Sequence, residues 1–208
     1  MSTARDDVLG RIRAIDRGHF PPHRREYRRE SDMSRVEQVE RFCERVADYR
    51  AEVRRLPRSA VADAVAGKGL RRVGVPPGLP AGWRPTGVEL VEDNGLTPRE
   101  LDRLDGVVTG CTVAIAETGT IVLAAGPSEG RRALTLVPDL HVCVVDESQI
   151  VGVVPEAIAR LGTLVREERR PLTFVSGPSA TSDIELSRVE GVHGPRTLIV
   201  LVTSEESP

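Results

Sequence analysis

The chain has 208 residues, 39% hydrophobic and 29% charged, with 29 basic against 31 acidic side chains and a formal net charge of −2. That balance belongs to a globular domain of ordinary size, and it excludes an acidic disordered tail, a collagen-like chain and a strongly basic nucleic-acid binder. Aromatic residues make up 3%, so the core is aliphatic and base-stacking platforms lack material.

No apolar run approaches the roughly 18–20 residues of a membrane span, and the first ten residues carry Arg5, Asp6 and Asp7 in place of an apolar leader. The chain therefore reads as cytoplasmic. Cys43, Cys111 and Cys143 are far apart with no C-x-x-C, which indicates neither a disulfide framework nor a self-contained zinc or iron–sulfur site. No metal or cofactor is expected on this chain.

Residues 1–60 hold 15 arginines against 11 carboxylates and the remainder 14 basic against 20 acidic residues, which sets a basic first part apart from an acidic body. Val8, Ile12 and Ile15 share one helical face before His19-Phe20-Pro21-Pro22 interrupts. The run Arg24-Arg25-Glu26-Tyr27-Arg28-Arg29 reads as a solvated surface with interleaved charge. Ser34 with Glu37 makes a capping box, and Val36, Val39, Phe42, Val46, Tyr49 and Val53 form an apolar stripe that Pro57 ends. The spacing predicts a helical arm over 34–56 able to dock a partner.

From residue 60 short apolar runs alternate with helical pieces, the pattern of an α/β domain. Strands are predicted at 72–75, 88–91, 106–117, 120–125, 140–145, 172–175 and 197–202. Helices are predicted after Thr97-Pro98, over 155–161 before Gly162, and over 182–189. The runs 141–145 and 198–202 are continuously apolar and suit strands covered on both faces, giving a mostly parallel open sheet with flanking helices. The expected domains are a helical segment over 1–59 and an α/β domain over 60–208.

Chemistry has two candidate locations. An extended segment ends in Glu117, turns at Thr118-Gly119 and returns through Thr120, placing a carboxylate beside a glycine where a backbone or substrate can approach. Turn formation alone also accounts for these residue types. Farther on, a strand runs into Gly177-Pro178-Ser179-Ala180-Thr181-Ser182-Asp183-Ile184-Glu185, and Gly191-Val192-His193-Gly194-Pro195 follows. Ligands of open α/β sheets bind beyond strand ends, and His193 is of a residue type that can act as acid or base, while Ser182 with Glu185 also satisfies a capping box.

These two segments resemble the signature of the LUD-domain (lactate utilization) family over about residues 60–204. The resemblance implies the fold of the glucosamine-phosphate deaminase, ribose-phosphate isomerase and CoA-transferase group. It also implies a place in a three-protein system oxidising L-lactate to pyruvate, with an iron–sulfur protein and a cysteine-rich protein as partners and the iron–sulfur clusters held by a partner. In the CoA transferases of that group a glutamate in a Glu-x-Gly context attacks an acyl-CoA, and Glu117-Thr118-Gly119 is similar in that respect.

Two functions follow. The first is a non-redox component of the lactate-oxidising complex, with a small carboxylate as possible ligand. The second is a stand-alone enzyme on an acyl-CoA or sugar-phosphate-like substrate. In that case Glu117 and His193 are catalytic, and Thr118, Gly119, Thr120, Gly177, Ser179, Thr181, Asp183 and Glu185 line the site.

Overall fold

A computed structural model of the chain describes residues 4–14, 26–181, 189–191 and 193–204. Helix α1 spans Ala4–Ala14, and α2 spans Arg35–Asp48 behind the predicted capping box, in which Ser34 accepts from the Glu37 N–H and Glu37 from the Ser34 N–H. The helix expected to reach residue 56 ends at Asp48. Arg50 takes a positive φ of 66°, and Glu52–Pro57 becomes strand β1. The stripe drawn through Val53 joined two elements whose inward faces happen to share its spacing.

Helix α3 (Val61–Ala66) follows, then strands β2 (Arg72–Val75) and β3 (Glu89–Glu92), α4 (Pro98–Leu101), β4 (Gly106–Thr109), β5 (Val113–Ile115) and β6 (Thr120–Leu123). Beyond them come β7 (Leu140–Asp146), β8 (Ile150–Val151), α5 (Val154–Arg166), β9 (Thr173–Val175), β10 (Ala180–Thr181), β11 (Val189–Glu190) and β12 (Thr197–Ser204).

Six strands form a wholly parallel sheet in the order β1-β12-β7-β4-β2-β3. Its centre is β7 beside β12, the two continuously apolar runs, which are buried on both faces. One face packs on Val61 and Val65 of α3. The other packs on Val39, Phe42 and Val46 of α2 and on a second sheet, β8-β5-β6-β9. Helix α5 covers the outer side of that sheet through Ala157 and Leu161. The layers thus run helix, parallel sheet, α2 with the mixed sheet, helix.

The strand predicted as one run over 106–117 is two, in different sheets. At Gly110 the chain leaves the parallel sheet, and a Cβ there would lie 3.0 Å from Ser128 Oγ. The predicted hairpin at Thr118-Gly119 is present between β5 and β6. Because β1 pairs with β12, the sheet of the expected 60–208 domain extends into the segment before residue 60. Helix α2 likewise turns its apolar face inward: Val39, Phe42 and Val46 are fully buried, each contributing about 1.5–3 kcal/mol by removal from water, so that face is not open to a partner. Helix α5 continues through Gly162, which was expected to end it. The predicted helix over 182–189 lies outside the described residues up to 188, and Val189 is in β11.

Candidate functional site

The β5–β6 hairpin is held in place from both sides. Ala116 and Glu117 donate their N–H groups to the carbonyls of Val151 and Gly152 at 2.8 and 3.0 Å. On the other side α2 sits against the turn so closely that a Cβ on Gly119, whose φ is +60°, would lie 2.7 Å from the Arg45 carbonyl carbon. Glycine is required there by space as well as by backbone conformation.

Glu117 stands at the tip and is ion-paired with Arg28, both side chains about half exposed. Arg28, Met33, Arg41 and Arg45 join it around a cavity of about 240 Å³. Arg45 Nε is buried there with no hydrogen-bond partner among the described residues. Arg41 and Arg45 also pair with Glu44 and Asp48, at 3.3 and 3.5 Å, so an anion entering the pocket would compete with these carboxylates as well as with Glu117 for Arg28.

Thr118 and Thr120 begin a chain of hydroxyls. Thr118 Oγ1 lies 2.7 Å from Thr120 Oγ1, which lies 2.7 Å from Ser176 Oγ at the end of β9. Ser176 belongs to a second cavity, also of about 240 Å³, between the start of β7 and the loops around residues 177 and 193. Gly177, Ser179 and His193 line this cleft together, as their shared signature suggested, while Glu117 lines the other cavity.

Ser179 ties the two loops to each other. Its Oγ accepts from the His193 N–H at 2.9 Å, its N–H donates to the Pro195 carbonyl at 2.8 Å, and its carbonyl accepts from Gly191 at 3.0 Å. Gly177 has a φ of +114°, and a Cβ on it would meet the Tyr49 side chain at 2.6 Å. Thr181 lies on β10, paired with Val189 of β11. Asp183 and Glu185 lie outside the described residues.

The cleft contains three residues that were not singled out from the sequence: Arg132, Thr135 and His141. His141 is the second residue of β7, where it is 2% exposed, and its Nε2 is 2.7 Å from Thr109 Oγ1. Burial, together with the nearby charge of Arg132, lowers its pKa to about 4, so it is neutral at physiological pH. A histidine directly before the apolar run 142–145 was the signal available.

Arg132 differs from its neighbour. Arg131 forks onto the buried Asp93, with both bonds at 2.8 Å. Burial pushes the Asp93 pKa up, but its bonds to Arg131 and to the Leu96 and Gly95 N–H groups outweigh this and hold it below the ordinary carboxylate value. Arg132 instead donates to carbonyl oxygens of Thr135 and His193, each at 3.1 Å, and to Thr135 Oγ1 at 3.1 Å. It forms no ion pair with a carboxylate among the described residues, and partial burial lowers its pKa. A partly desolvated guanidinium without a carboxylate is a ready seat for an anion.

Behind the site, Glu129 is 3% exposed and accepts hydrogen bonds from the Ala124 and Gly126 N–H groups at 2.5 and 3.1 Å and from the Thr112 hydroxyl. It fixes the bend after β6, where Ala125 has a φ of +50°. Among the described residues no group of three or more His, Cys, Asp or Glu is arranged for a metal ion, and no helix is long and apolar enough to cross a membrane.

Comparison with known proteins places these features in context. The pattern of the LUD domain matches residues 86–203, which include Arg132, His141, Ser179 and His193. A protein of Deinococcus radiodurans called lactate utilization protein C is 47% identical over 203 residues, covering 96% of this chain and 95% of its own length. A Bacillus pumilus protein of the same name is 37% identical over 95 residues, covering 44% of this chain and 39% of its own. A crystal structure of a DUF162 family protein from Deinococcus radiodurans is similar with a TM-score of 0.72 at 42% identity, covering 82% of this chain and 99% of that one.

Proposed function

Because this chain belongs to the LUD domain family, we propose that it serves in lactate utilization as the non-redox component of a cytoplasmic three-protein system oxidising L-lactate to pyruvate. The observation that carries this reading is the 47% identity, over nearly the whole of both chains, to a protein called lactate utilization protein C. Its partners in this reading are an iron–sulfur protein and a cysteine-rich protein. Three cysteines on distant parts of the sequence fall short of the four thiolates that commonly hold an iron–sulfur cluster, so the partners take the electrons. Reconstitution from purified components tests it. Lactate oxidation is expected to need this chain together with its iron–sulfur partner, and a full rate without the chain contradicts the proposal.

A second reading rests on the arginine-lined cavity at Glu117: a stand-alone enzyme acting on an anionic acyl-CoA or sugar-phosphate-like substrate, with that carboxylate as nucleophile or base. Glu117→Gln keeps the size and removes the charge, and an unchanged activity of the isolated protein counts against this role.

A further inference from the structure

The cleft at the start of β7 combines two hydrogen-bonding demands that one small molecule can meet. The first is the donor capacity of Arg132. Of its five N–H bonds, those on Nη1 go to Thr135 and one on Nη2 goes to the His193 carbonyl, which leaves Nε–H and the second Nη2–H uncommitted among the described residues. Two N–H bonds on a guanidinium edge match the two oxygens of a carboxylate.

The second is an acceptor on His141. Thr109 Oγ1 lies 2.9 Å from the Gly110 carbonyl and 2.7 Å from His141 Nε2. The carbonyl can only accept, so the threonine hydroxyl donates to it, and Nε2–H of the imidazole donates to the threonine oxygen. A neutral ring protonated on Nε2 carries its lone pair on Nδ1. Neither Arg132 nor Thr135 is bonded to that nitrogen, and His141 lines the cleft, so a ligand there can donate to it.

We infer that this cleft binds a small 2-hydroxycarboxylate, with Arg132 holding the carboxylate and His141 Nδ1 accepting the hydrogen bond of the 2-hydroxyl. The inference deepens the lactate reading and rests on it for the choice of ligand. A cavity of about 240 Å³ is below the range that takes drug-sized molecules and has room for a three-carbon acid. The same arrangement disfavours a 2-oxo acid, whose carbonyl would set lone pair against lone pair at Nδ1. A single guanidinium also serves a monoanion better than a phosphate dianion. Ser179 has a positioning role, because it ties the loop carrying the His193 carbonyl, a partner of Arg132, to the opposite wall.

Titration calorimetry of the purified full chain tests the site with L-lactate, propionate, pyruvate and inorganic phosphate. Lactate is expected to bind, with propionate and pyruvate weaker by about tenfold, the worth of one good hydrogen bond to an acceptor lining the cleft. Arg132→Lys keeps the charge but loses the fork, and all carboxylates should weaken by about tenfold. His141→Gln keeps an N–H directed at Thr109 but removes the Nδ1 acceptor, so lactate should fall to the level of propionate while propionate is unchanged. His141→Asn, which can place an oxygen near the Nδ1 position, should retain part of the preference.

Equal binding of lactate and propionate by the native chain, phosphate binding as tight as lactate, or undiminished lactate binding in folded Arg132→Lys or His141→Gln overturns the site. Hydrogen exchange of the native chain covers the case in which the variants fail to fold. Lactate-dependent protection at residues 176–179 and 193–194 supports the placement, and protection confined elsewhere overturns it. Failure of lactate to bind overturns this site and leaves the reconstitution assay to decide the role in lactate oxidation. A chain that binds lactate here yet is dispensable for that oxidation overturns the role and leaves the site.

Discussion

Thr109 fixes the chemical state of His141: its hydroxyl, 2.9 Å from the Gly110 carbonyl and 2.7 Å from His141 Nε2, makes the imidazole a donor on Nε2 and an acceptor on Nδ1. Parallel register makes this possible, since Val107 stands opposite His141 and Thr109 projects from the same face two residues on.

The burial of His141 makes folding depend on pH. Its pKa is about 4 in the folded chain against an ordinary 6.5, so below pH 6.5 the unfolded chain binds the proton first. Stability from this group is complete above about pH 6.5, declines as pH falls toward 4 and levels off below that. The difference corresponds to about 3 kcal/mol. Urea unfolding at pH 7 and pH 5 is expected to show a smaller loss in His141→Gln than in the native protein. Equal losses would contradict a neutral buried histidine.

Gly119→Ala should destabilise the fold by about 2–4 kcal/mol, because a positive φ and the α2 backbone both oppose a Cβ. Gly82→Ala, where a Cβ meets nothing within 4 Å and φ is not positive, is the control and should leave the melting temperature nearly unchanged.

Glu129 separates charge from hydrogen bonding. Glu129→Gln can keep an oxygen toward the Ala124 and Gly126 N–H groups and present its amide to the Thr112 hydroxyl, which can rotate to accept, so it should cost about 1 kcal/mol. Glu129→Leu strands both buried N–H groups and should cost about 3 kcal/mol or more by denaturant unfolding.

The half-exposed pair Arg28–Glu117 should contribute at most about 1 kcal/mol. Glu117→Gln is therefore expected to melt within a few degrees of the native protein, and any larger loss of function in that variant belongs to the pocket and not to folding.

Much of the parallel sheet was legible in the sequence. The runs over 141–145 and 198–202 suit buried strands, and the hairpin at Thr118-Gly119 and the capping box at Ser34 depend on local chemistry. Elements defined by tertiary partners were not legible. Strand β1 is half exposed and borrows its identity from β12, and two-residue β8 exists through its pairing with β5. Within the cleft, Gly177, Ser179 and His193 announced themselves as loop residues in one signature. Arg132 resembled Arg131 until the structure gave one a buried carboxylate and the other carbonyls, and His141 was hidden in an apolar run by the very burial that defines its chemistry.

The most direct measurement is lactate-dependent reduction of an artificial electron acceptor in extracts of a strain lacking this gene, with and without the native chain restored. A component of the lactate-oxidising system predicts loss of reduction on deletion and recovery on restoration. A rate unchanged by the deletion would contradict it.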